Sequence, residues 1–401
     1  MSVVFWVVAA IWLIATLAQV RDLRALHPLP PLPRPLAPAA SDRSSPRVSV
    51  VIPTRDEGDR LLESLRLMLA QRHVDLELIV VDDRSTDGTF AHLEGLAATN
   101  PRVRPLRIDT LPAGWLGKTH ACHAGATGAK GEWLLFCDAD VWLSAAVIAR
   151  AVAAAERDGA DHLCLLPGES ATTLPGQACL LNFSIGLLGQ AAGANRDQPW
   201  AFVGVGAFTL IRRAAYDTIG GHAALRMEVI EDLKLGYLVR RHGLRTRIYL
   251  ATDDVHVHWG GSFRGMTRAL EKNIFALFDY SVPLAVGFAA ALAALTVLPL
   301  AGPFAGSAGG WAAAAAMALS VAPRLWMTRR AGWSALAALL SPPAGVLGAW
   351  IVLNSARAAL REGGVRWRET VYPLARLRET SIPVLAHVFL RRPIQREPPR
   401  A

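Results

Sequence analysis

The stretch that decides the reading is Leu134–Trp142, "LLFCDADVW". An apolar run with the texture of a buried strand ends in two aspartates, Asp138 and Asp140, with only Ala139 between them. Along a strand, alternate side chains share a face, so the two carboxylates are predicted to lie on one face, a few ångströms apart. Carboxylates held that close repel unless something positive sits between them or one takes a proton.

The surroundings of that stretch set the fold class. "VSVVIP" (Val48–Pro53) and "LELIVVDD" (Leu76–Asp83) read as strands, with a shorter one near Val103–Ile108. "RDEGDRLLESLRLMLAQ" (Arg55–Gln71) reads as a helix with an acidic first turn. Further helices are expected after the turn and capping residues that open "STDGTFAHLEGLAA" and across Thr119–Ala129. Continuously apolar strands alternating with helices predict an α/β fold with a doubly wound, mainly parallel sheet, covered on both faces. In such sheets ligands collect at the carboxyl ends of the strands. Asp82, Asp83, Asp138 and Asp140 all fall at such ends.

Composition adds a membrane. Of the 401 residues, 52% are hydrophobic, and the formal net charge is +9. A basic balance suits nucleic acid or an anionic membrane surface. No zinc-knuckle spacing, aromatic RNP-type pattern or basic recognition helix is present, so nucleic acid is disfavoured as a partner. Cys122, Cys137, Cys164 and Cys179 form no CxxC pair and read as reduced core residues.

Residues 1–20 carry no charge and are long enough for a transmembrane anchor. They lack the positive start and small-residue cleavage site of a secretory signal. Arg21 and Arg24 then place the C-terminal end of the anchor on the cytoplasmic side. Residues 21–47 include "HPLPPLPRPLAPAA" (His27–Ala40), a stiff extended spacer. A soluble domain is expected over 48–262, an amphipathic interfacial helix over 263–280 and membrane helices over 281–355, with a basic cytoplasmic tail over 356–401. Between Asp279 and Arg324 there is no charge, and "GPFAGSAGG" (Gly302–Gly310) divides the run. Helices Val282–Ala301 and Trp311–Pro323 are the expectation. Residues 332–353 are interrupted by "SPP" (Ser341–Pro343), and both a full crossing and a re-entrant segment stay open there. The interfacial helix mixes Arg264, Arg268 and Lys272 with Phe263, Met266, Leu270, Ile274 and Phe278, although a packed connector fits the same pattern. The expected localisation is the cell (inner) membrane, multi-pass, with the soluble domain cytoplasmic.

"VSVVIPTRDE", "LIVVDDRSTDGT" and "GEWLLFCDAD", in that order, resemble the nucleotide-binding half of family 2 glycosyltransferases, which have the GT-A fold. The resemblance covers about residues 48–280. It implies a nucleotide-sugar donor, most simply a UDP-sugar, and a divalent cation, Mg²⁺ or Mn²⁺, held at the DxD. By resemblance Asp140 is the direct metal ligand, and Asp138 belongs to the ribose and metal shell. Asp83 would accept a hydrogen bond from the uracil ring, and Thr54 would contact the same nucleoside. A hard cation held by carboxylates and phosphate oxygens suits a diphosphate leaving group.

"LPAGWLGKTHACHAG" (Leu111–Gly125) sets glycines beside Lys118 just before a helix, which suits an anionic ligand, and Lys118 is the candidate contact to the diphosphate or nucleotide. Many family members carry Asn where this chain has His123. His120 and His123 read as ordinary helix-surface residues, with no third ligand nearby for a metal. "MEVIEDLKLGYLVRRHG" (Met227–Gly243) resembles the family's helix bearing the catalytic base, with Asp232 as that base. Acid-to-base polarity along a helix also suits its dipole without any chemistry. "VGVGAFTLIRRAAYDTIGG" (Val203–Gly221) resembles the acceptor-side glycine-rich segment. His256 and His258 read as strand histidines, with acceptor contact as the alternative.

Together these imply a metal-assisted, inverting hexosyltransferase acting on a lipid-like acceptor. "LPAGWLGK" and the paired C-terminal membrane helices are similar to hopanoid-associated and carotenoid-type glycosyltransferases, which points to an isoprenoid acceptor. Processive polysaccharide synthases carry a Gln/Arg-x-x-Arg-Trp motif. The nearest match here, "GGVRW" (Gly363–Trp367), begins with glycine, and polymer synthesis is disfavoured. A non-catalytic nucleotide-binding scaffold is the remaining alternative. Asp83, Asp138, Asp140, Glu231 and Asp232, all present together, speak against it.

Overall fold

The computed structural model describes residues 2–32, 46–169, 171–257 and 263–397. Along the chain, α1 (Ser2–Arg24) precedes β1 (Arg47–Thr54), α2 (Asp59–Leu69), β2 (Asp75–Asp83), α3 (Thr89–Thr99) and β3 (Val103–Ile108). Then come α4 (Gly117–Gly128), β4 (Trp133–Phe136), β5 (Val141–Leu143), α5 (Val147–Arg157) and β6 (His162–Glu169). They are followed by α6 (Leu174–Asn195), β7 (Thr209–Arg212), α7 (Arg213–Thr218), α8 (Glu231–Arg241) and β8 (Thr246–Val257). The rest of the chain is mostly helical: α9 (Phe263–Leu277), α10 (Val282–Ala301), α11 (Ala308–Leu319), α12 (Val321–Ala331), α13 (Ala335–Leu340) and α14 (Gly345–Arg361). A short hairpin, β9 (Gly364–Trp367) and β10 (Thr370–Pro373), follows them.

Two compact units result. One takes its described residues from His27–Gly168, Ala194–Val257 and Arg391–Ala401. It holds a mixed sheet in the order β3-β2-β1-β4-β7-β6-β8-β5. β1 runs parallel to β2 and β4, and β2 parallel to β3, while β7 is antiparallel to β4 and β6. The sheet keeps the expected parallel arrangement from β3 to β4 and continues beyond β4 through antiparallel pairings, with β5 antiparallel to β8 as well.

The strands are apolar throughout because both faces are covered. On β1, Val48, Val50 and Ile52 point into a core with Leu61, Leu65 and Met68 of α2 and Val147, Ile148 and Val152 of α5. Alternation sends Ile79 and Val81 of β2 to the other face, against Ala121 of α4. On that face Gly125 of α4 lets the helix close on β1, since a Cβ there would stand 2.5 Å from Val51 Cγ1.

The expected helix over Arg55–Gln71 starts later, at Asp59. Asp56 and Gly58 take left-handed φ of 50° and 53°, which no helix permits. Asp56 instead staples the ends of β1 and β2. Its N–H donates to Ser85 Oγ (2.9 Å), and its Oδ1 accepts from the Thr86 N–H (2.7 Å). All four cysteines are buried and free, as read from the sequence.

The second unit takes its described residues from Met1–Leu26, Glu169–Gly193 and His258–Leu390. Phe5, Val8 and Ala9 of α1 pack with Ala313 of α11, and Trp12 Nε1 donates to Leu295 O of α10 (2.9 Å). Gly302 and Gly310 meet backbone to backbone, leaving no room for a Cβ on either, which explains glycine at both ends of that turn. Among the described residues, Ser2–Arg24 and Val282–Ala305 are long and apolar enough to cross a membrane. Much of their apolar surface is uncovered, with Val3 at 74%, Ile14 at 66% and Leu17 at 61% exposed.

The run read as one helix over Trp311–Pro323 is divided between α11 and α12 at Ser320, where the Oγ donates to Met317 O (2.6 Å). Pro323 near the start of α12 contributes no N–H to a continuous ladder. The "SPP" break separates α13 from α14. The apolar stripe of α9 is buried, at Met266, Leu270 and Ile274, and the Phe275 N–H donates to Ser355 Oγ of α14 (3.0 Å). The part of the proline-rich spacer at 33–45 lies outside the described residues.

Gly236, inside α8, tests the close packing of the first unit. A Cβ there would overlap the Val203 carbonyl. In an exposed helix, Gly→Ala stabilises by about 1 kcal/mol. Here Gly236→Ala is expected to destabilise by about 3 kcal/mol, because the obstacle is backbone and cannot rotate away. Chemical denaturation of the purified protein measures it.

Candidate functional site

The acidic stretch leaves the sheet before its first aspartate. β4 ends at Phe136, and Asp138–Asp140 run through a turn into β5. The expectation that strand alternation places both carboxylates on one face is therefore corrected: the pair sits on a turn. The Cys137 N–H still donates to Val51 O (3.2 Å), and the Asp138 N–H donates to Gly206 O (3.1 Å). The turn is thereby tied to β1 on one side and to the glycine-rich segment on the other.

That segment is built for close approach. A Cβ on Gly204 would overlap the Asp232 carbonyl of α8, as one on Gly236 would overlap Val203. The two backbones therefore lie in contact, and the Gly206 N–H donates to Asp232 Oδ2 (2.9 Å). The Leu233 N–H caps Oδ1 of the same carboxylate (2.7 Å). A Cβ on Gly206 would stand 2.7 Å from Asp138 Oδ2 and 3.4 Å from Asp232 Oδ2. The bare backbone at 206 thus forms a cradle between the two acids.

Lys118, in the first turn of α4, supplies the positive charge that the opening stretch requires. Its Nζ lies 2.6 Å from Asp138 Oδ1 and 2.8 Å from Glu231 Oε1. Burial works against its charge, but Asp138, Glu231 and Asp232 outweigh that and hold its pKa well above that of an ordinary lysine. Among the described residues, Asp232 has no such partner within salt-bridge distance. Burial first, and then the neighbouring Glu231, push its pKa up to about 6. Burial and Asp138 also raise Asp140 above the usual carboxylate range. Lys118, Asp138, Gly206, Glu231 and Asp232 share the lining of one cavity with Phe136 and His222.

The remaining sequence candidates lie around this cluster. Asp83, at the end of β2, is clasped by Arg84 Nε (2.8 Å) and Nη2 (3.0 Å). Gly117, next to Lys118, packs so tightly that a Cβ would overlap Asp83 Oδ2. Thr54 is buried at the end of β1, and among the described residues its Oγ1 has no hydrogen-bond partner. Neither Thr54 nor Asp140 lines the cavity that holds Lys118.

Two of the histidines pack on an aromatic ring. His120 and His123 flank Trp115, edge-on at 5.2 Å and stacked at 5.0 Å, and burial lowers the pKa of both. His256 is exposed on β8, and His258 lies outside the described residues.

A divalent cation fits this donor set. Asp138 and Asp140 offer hard carboxylate oxygens, and burial, followed by the neighbouring Asp138, raises the pKa of Asp140. Among the described residues no group of three or more His, Cys, Asp or Glu side chains forms a metal site. The protein would supply one or two ligands and a bound phosphate the others.

Sequence reasoning named Asp138, Lys118 and Asp232 but missed that Lys118 bridges Asp138 to Glu231. It also missed the steric roles of Gly117, Gly204, Gly206 and Gly236. The signal was present in "VGVG", where glycine recurs at alternate positions, and in "LGK", where it precedes Lys118.

Residues 49–220 match the family model described as "Glycosyl transferase family 2". The chain carries a family 2 glycosyltransferase domain. Among curated proteins, the 4,4'-diaponeurosporenoate glycosyltransferase of Staphylococcus haemolyticus (strain JCSC1435) is 37% identical over 97 residues, 24% of this chain and 25% of that protein. The protein of the same name from Staphylococcus aureus (strain MRSA252) is 27% identical over 208 residues, 50% of this chain and 53% of that protein. The chain thus spans a quarter to about half the length of these relatives. Among solved structures, the mannosyltransferase PcManGT from Pyrobaculum calidifontis, in complex with GDP-Man and Mn²⁺, superposes with a TM-score of 0.52 at 20% identity. That superposition covers 89% of this chain and 99% of the other, and it shows a GT-A-like fold.

The family match ends at residue 220, so α8 with Glu231 and Asp232 lies beyond it. What joins α8 to the family 2 domain is the glycine contact just described. Gly117→Ala tests the other close approach. It is expected to push Asp83 off Arg84 and to cost about 1–3 kcal/mol of stability, read by denaturant titration, with the displaced carboxylate visible in a crystal structure.

Proposed function

We propose that the protein moves a sugar from a nucleotide-sugar donor to a lipid-like, isoprenoid-type acceptor by inverting displacement. The observation that carries this reading is the convergence of Asp138, Lys118, Glu231 and Asp232 on one cavity at the carboxyl ends of the strands of a family 2 domain. In this reading Asp83 and Thr54 bind the nucleoside, and a UDP-sugar is the donor by the resemblance of those positions. Lys118 places positive charge on the diphosphate. Asp138 and Asp140 hold Mg²⁺ or Mn²⁺, whose charge when bound offsets that of the departing diphosphate.

The chemistry is a direct substitution. The acceptor oxygen forms a bond to the anomeric carbon as the bond from that carbon to the diphosphate oxygen breaks. The hydroxyl proton passes to Asp232, and the nucleoside diphosphate leaves. Asp232 suits this task better than Glu231, because the Glu231 carboxylate is occupied by Lys118. The curated relatives are named for a carotenoid acid, which supports an isoprenoid acceptor. That name also favours a second reading: a carboxylate acceptor arrives without a proton and needs no base.

We further propose that the chain is a multi-pass protein of the cell (inner) membrane with its catalytic unit cytoplasmic. The apolar helices Ser2–Arg24 and Val282–Ala305 support membrane insertion, and Arg21 and Arg24 support the orientation.

Purified protein, incubated with UDP- and GDP-sugars and a membrane lipid extract, tests the reading. Nucleoside diphosphate release and mass analysis of a new glycolipid are expected, and no release from any donor overturns it. Chelation should abolish turnover, and Mn²⁺ or Mg²⁺ should restore it, whereas Asp140→Asn should lower turnover by about a hundredfold or more. On a hydroxyl acceptor, kcat/KM should rise with pH through about 6, where Asp232 becomes ionised, and level off above. Asp232→Asn should remove that rise and about 10²–10⁴ of the rate. On a carboxylate acceptor neither effect is expected.

A further inference from the structure

Lys118 does more than wait for a diphosphate. Its ammonium already spans two carboxylates from separate segments: Asp138 on the turn after β4 and Glu231 in the first turn of α8. The 2.6 Å contact is to the same Asp138 that the proposed function assigns to the metal shell. An ammonium and a divalent cation cannot both sit against one carboxylate without strong mutual repulsion at a few ångströms.

The backbone that carries the lysine is fixed. Thr119 Oγ1 donates to Arg226 O (2.7 Å), and the Leu116 N–H donates to the same carbonyl (2.8 Å). Only the flexible four-carbon side chain is left to move. Gly117, one residue earlier, packs on Asp83, so the same short stretch touches both the β2 and the β4 acids.

Resting on the function proposed above, we infer that Lys118 is a resident cation of the DxD. It occupies Asp138 before the donor binds and is drawn away by the arriving diphosphate. The ammonium exchanges a carboxylate for phosphate oxygens, and Asp138 becomes available to the metal. Divalent cation alone therefore binds weakly, and nucleotide and cation each raise the affinity of the other by the same factor. Lys118 acts here as a positioning residue that makes donor and metal arrive together.

The test is Mn²⁺ binding to the full-length protein in detergent, followed by the electron paramagnetic resonance of free Mn²⁺. It is run without nucleotide, with UDP and with GDP. Without nucleotide, Lys118→Met is expected to bind Mn²⁺ about tenfold more tightly than the unsubstituted protein, one unit of charge having left the acidic cluster. The gain in Mn²⁺ affinity on adding nucleotide should shrink in that variant. Lys118→Arg, which keeps the charge, should behave as the unsubstituted protein does. Lys118→Gln repeats the measurement should the methionine variant fail to fold.

If Lys118→Met binds Mn²⁺ with nucleotide but no more tightly than the unsubstituted protein without it, the inference falls and the metal reading stands. If no variant binds Mn²⁺ under any condition, the metal reading falls and takes this inference with it.

Discussion

The contact on which the site depends is between two stretches of backbone. Val203–Gly206 lies directly against the first turns of α8, and glycine at 204 and 236 removes the only atoms that would hold them apart. Nothing in the acidic residues themselves would bring Asp232 near Asp138. The approach sets the Gly206 N–H on Asp232 while the Gly206 carbonyl accepts from the Asp138 N–H. One peptide stretch therefore fixes both acids, which belong to elements separated by almost a hundred residues. A side chain at any of these glycines would move the acids apart before it touched a substrate.

Electrostatics then sorts acids that proximity alone would leave equivalent. Three carboxylates, Asp138, Glu231 and Asp232, share the neighbourhood of one ammonium. The first two are in direct contact with Lys118. The third is left with backbone N–H partners and burial, and its proton is correspondingly harder to remove. A general base is most useful with a pKa near the working pH. The base proposed above, Asp232, has its pKa raised to about 6 by burial and by Glu231.

Much of this was legible in the chain, and the exceptions share a cause. The strands at 47–54, 75–83 and 103–108 and the helix beginning near Lys118 follow from local texture, because their apolar faces are set by period. Asp138 was legible as a candidate because the acidic pair closes an apolar run in order with the other motifs. Its placement on a turn was not, because β4 is only four residues long and where it stops depends on hydrogen bonds to Val51 and Gly206. The late start of α2 depends on Asp56 bonding to Ser85 and Thr86, about thirty residues away. The link from Lys118 to Glu231 likewise joins residues more than a hundred positions apart. Period reveals what is buried, and it is silent on which distant group a polar side chain will meet.

The helical unit extends that argument to its apolar helices. Uncharged length alone suggested separate crossings, but a serine and a proline divide one of them into α11 and α12. A bilayer tolerates a broken helix only where neighbouring helices supply the missing hydrogen bonds and packing. Here Ser320 Oγ bonds back to Met317 O, and Arg324 Nη1 donates to Ser320 O (2.7 Å), so side chains of the break reach its own backbone carbonyls. Arg324 also lies over the Trp12 ring of α1, 5.7 Å from its centroid. The break is thus packed against another helix and satisfied in part from within. That is the condition under which an interrupted segment with a buried arginine can persist beside helices as apolar as α1 and α10.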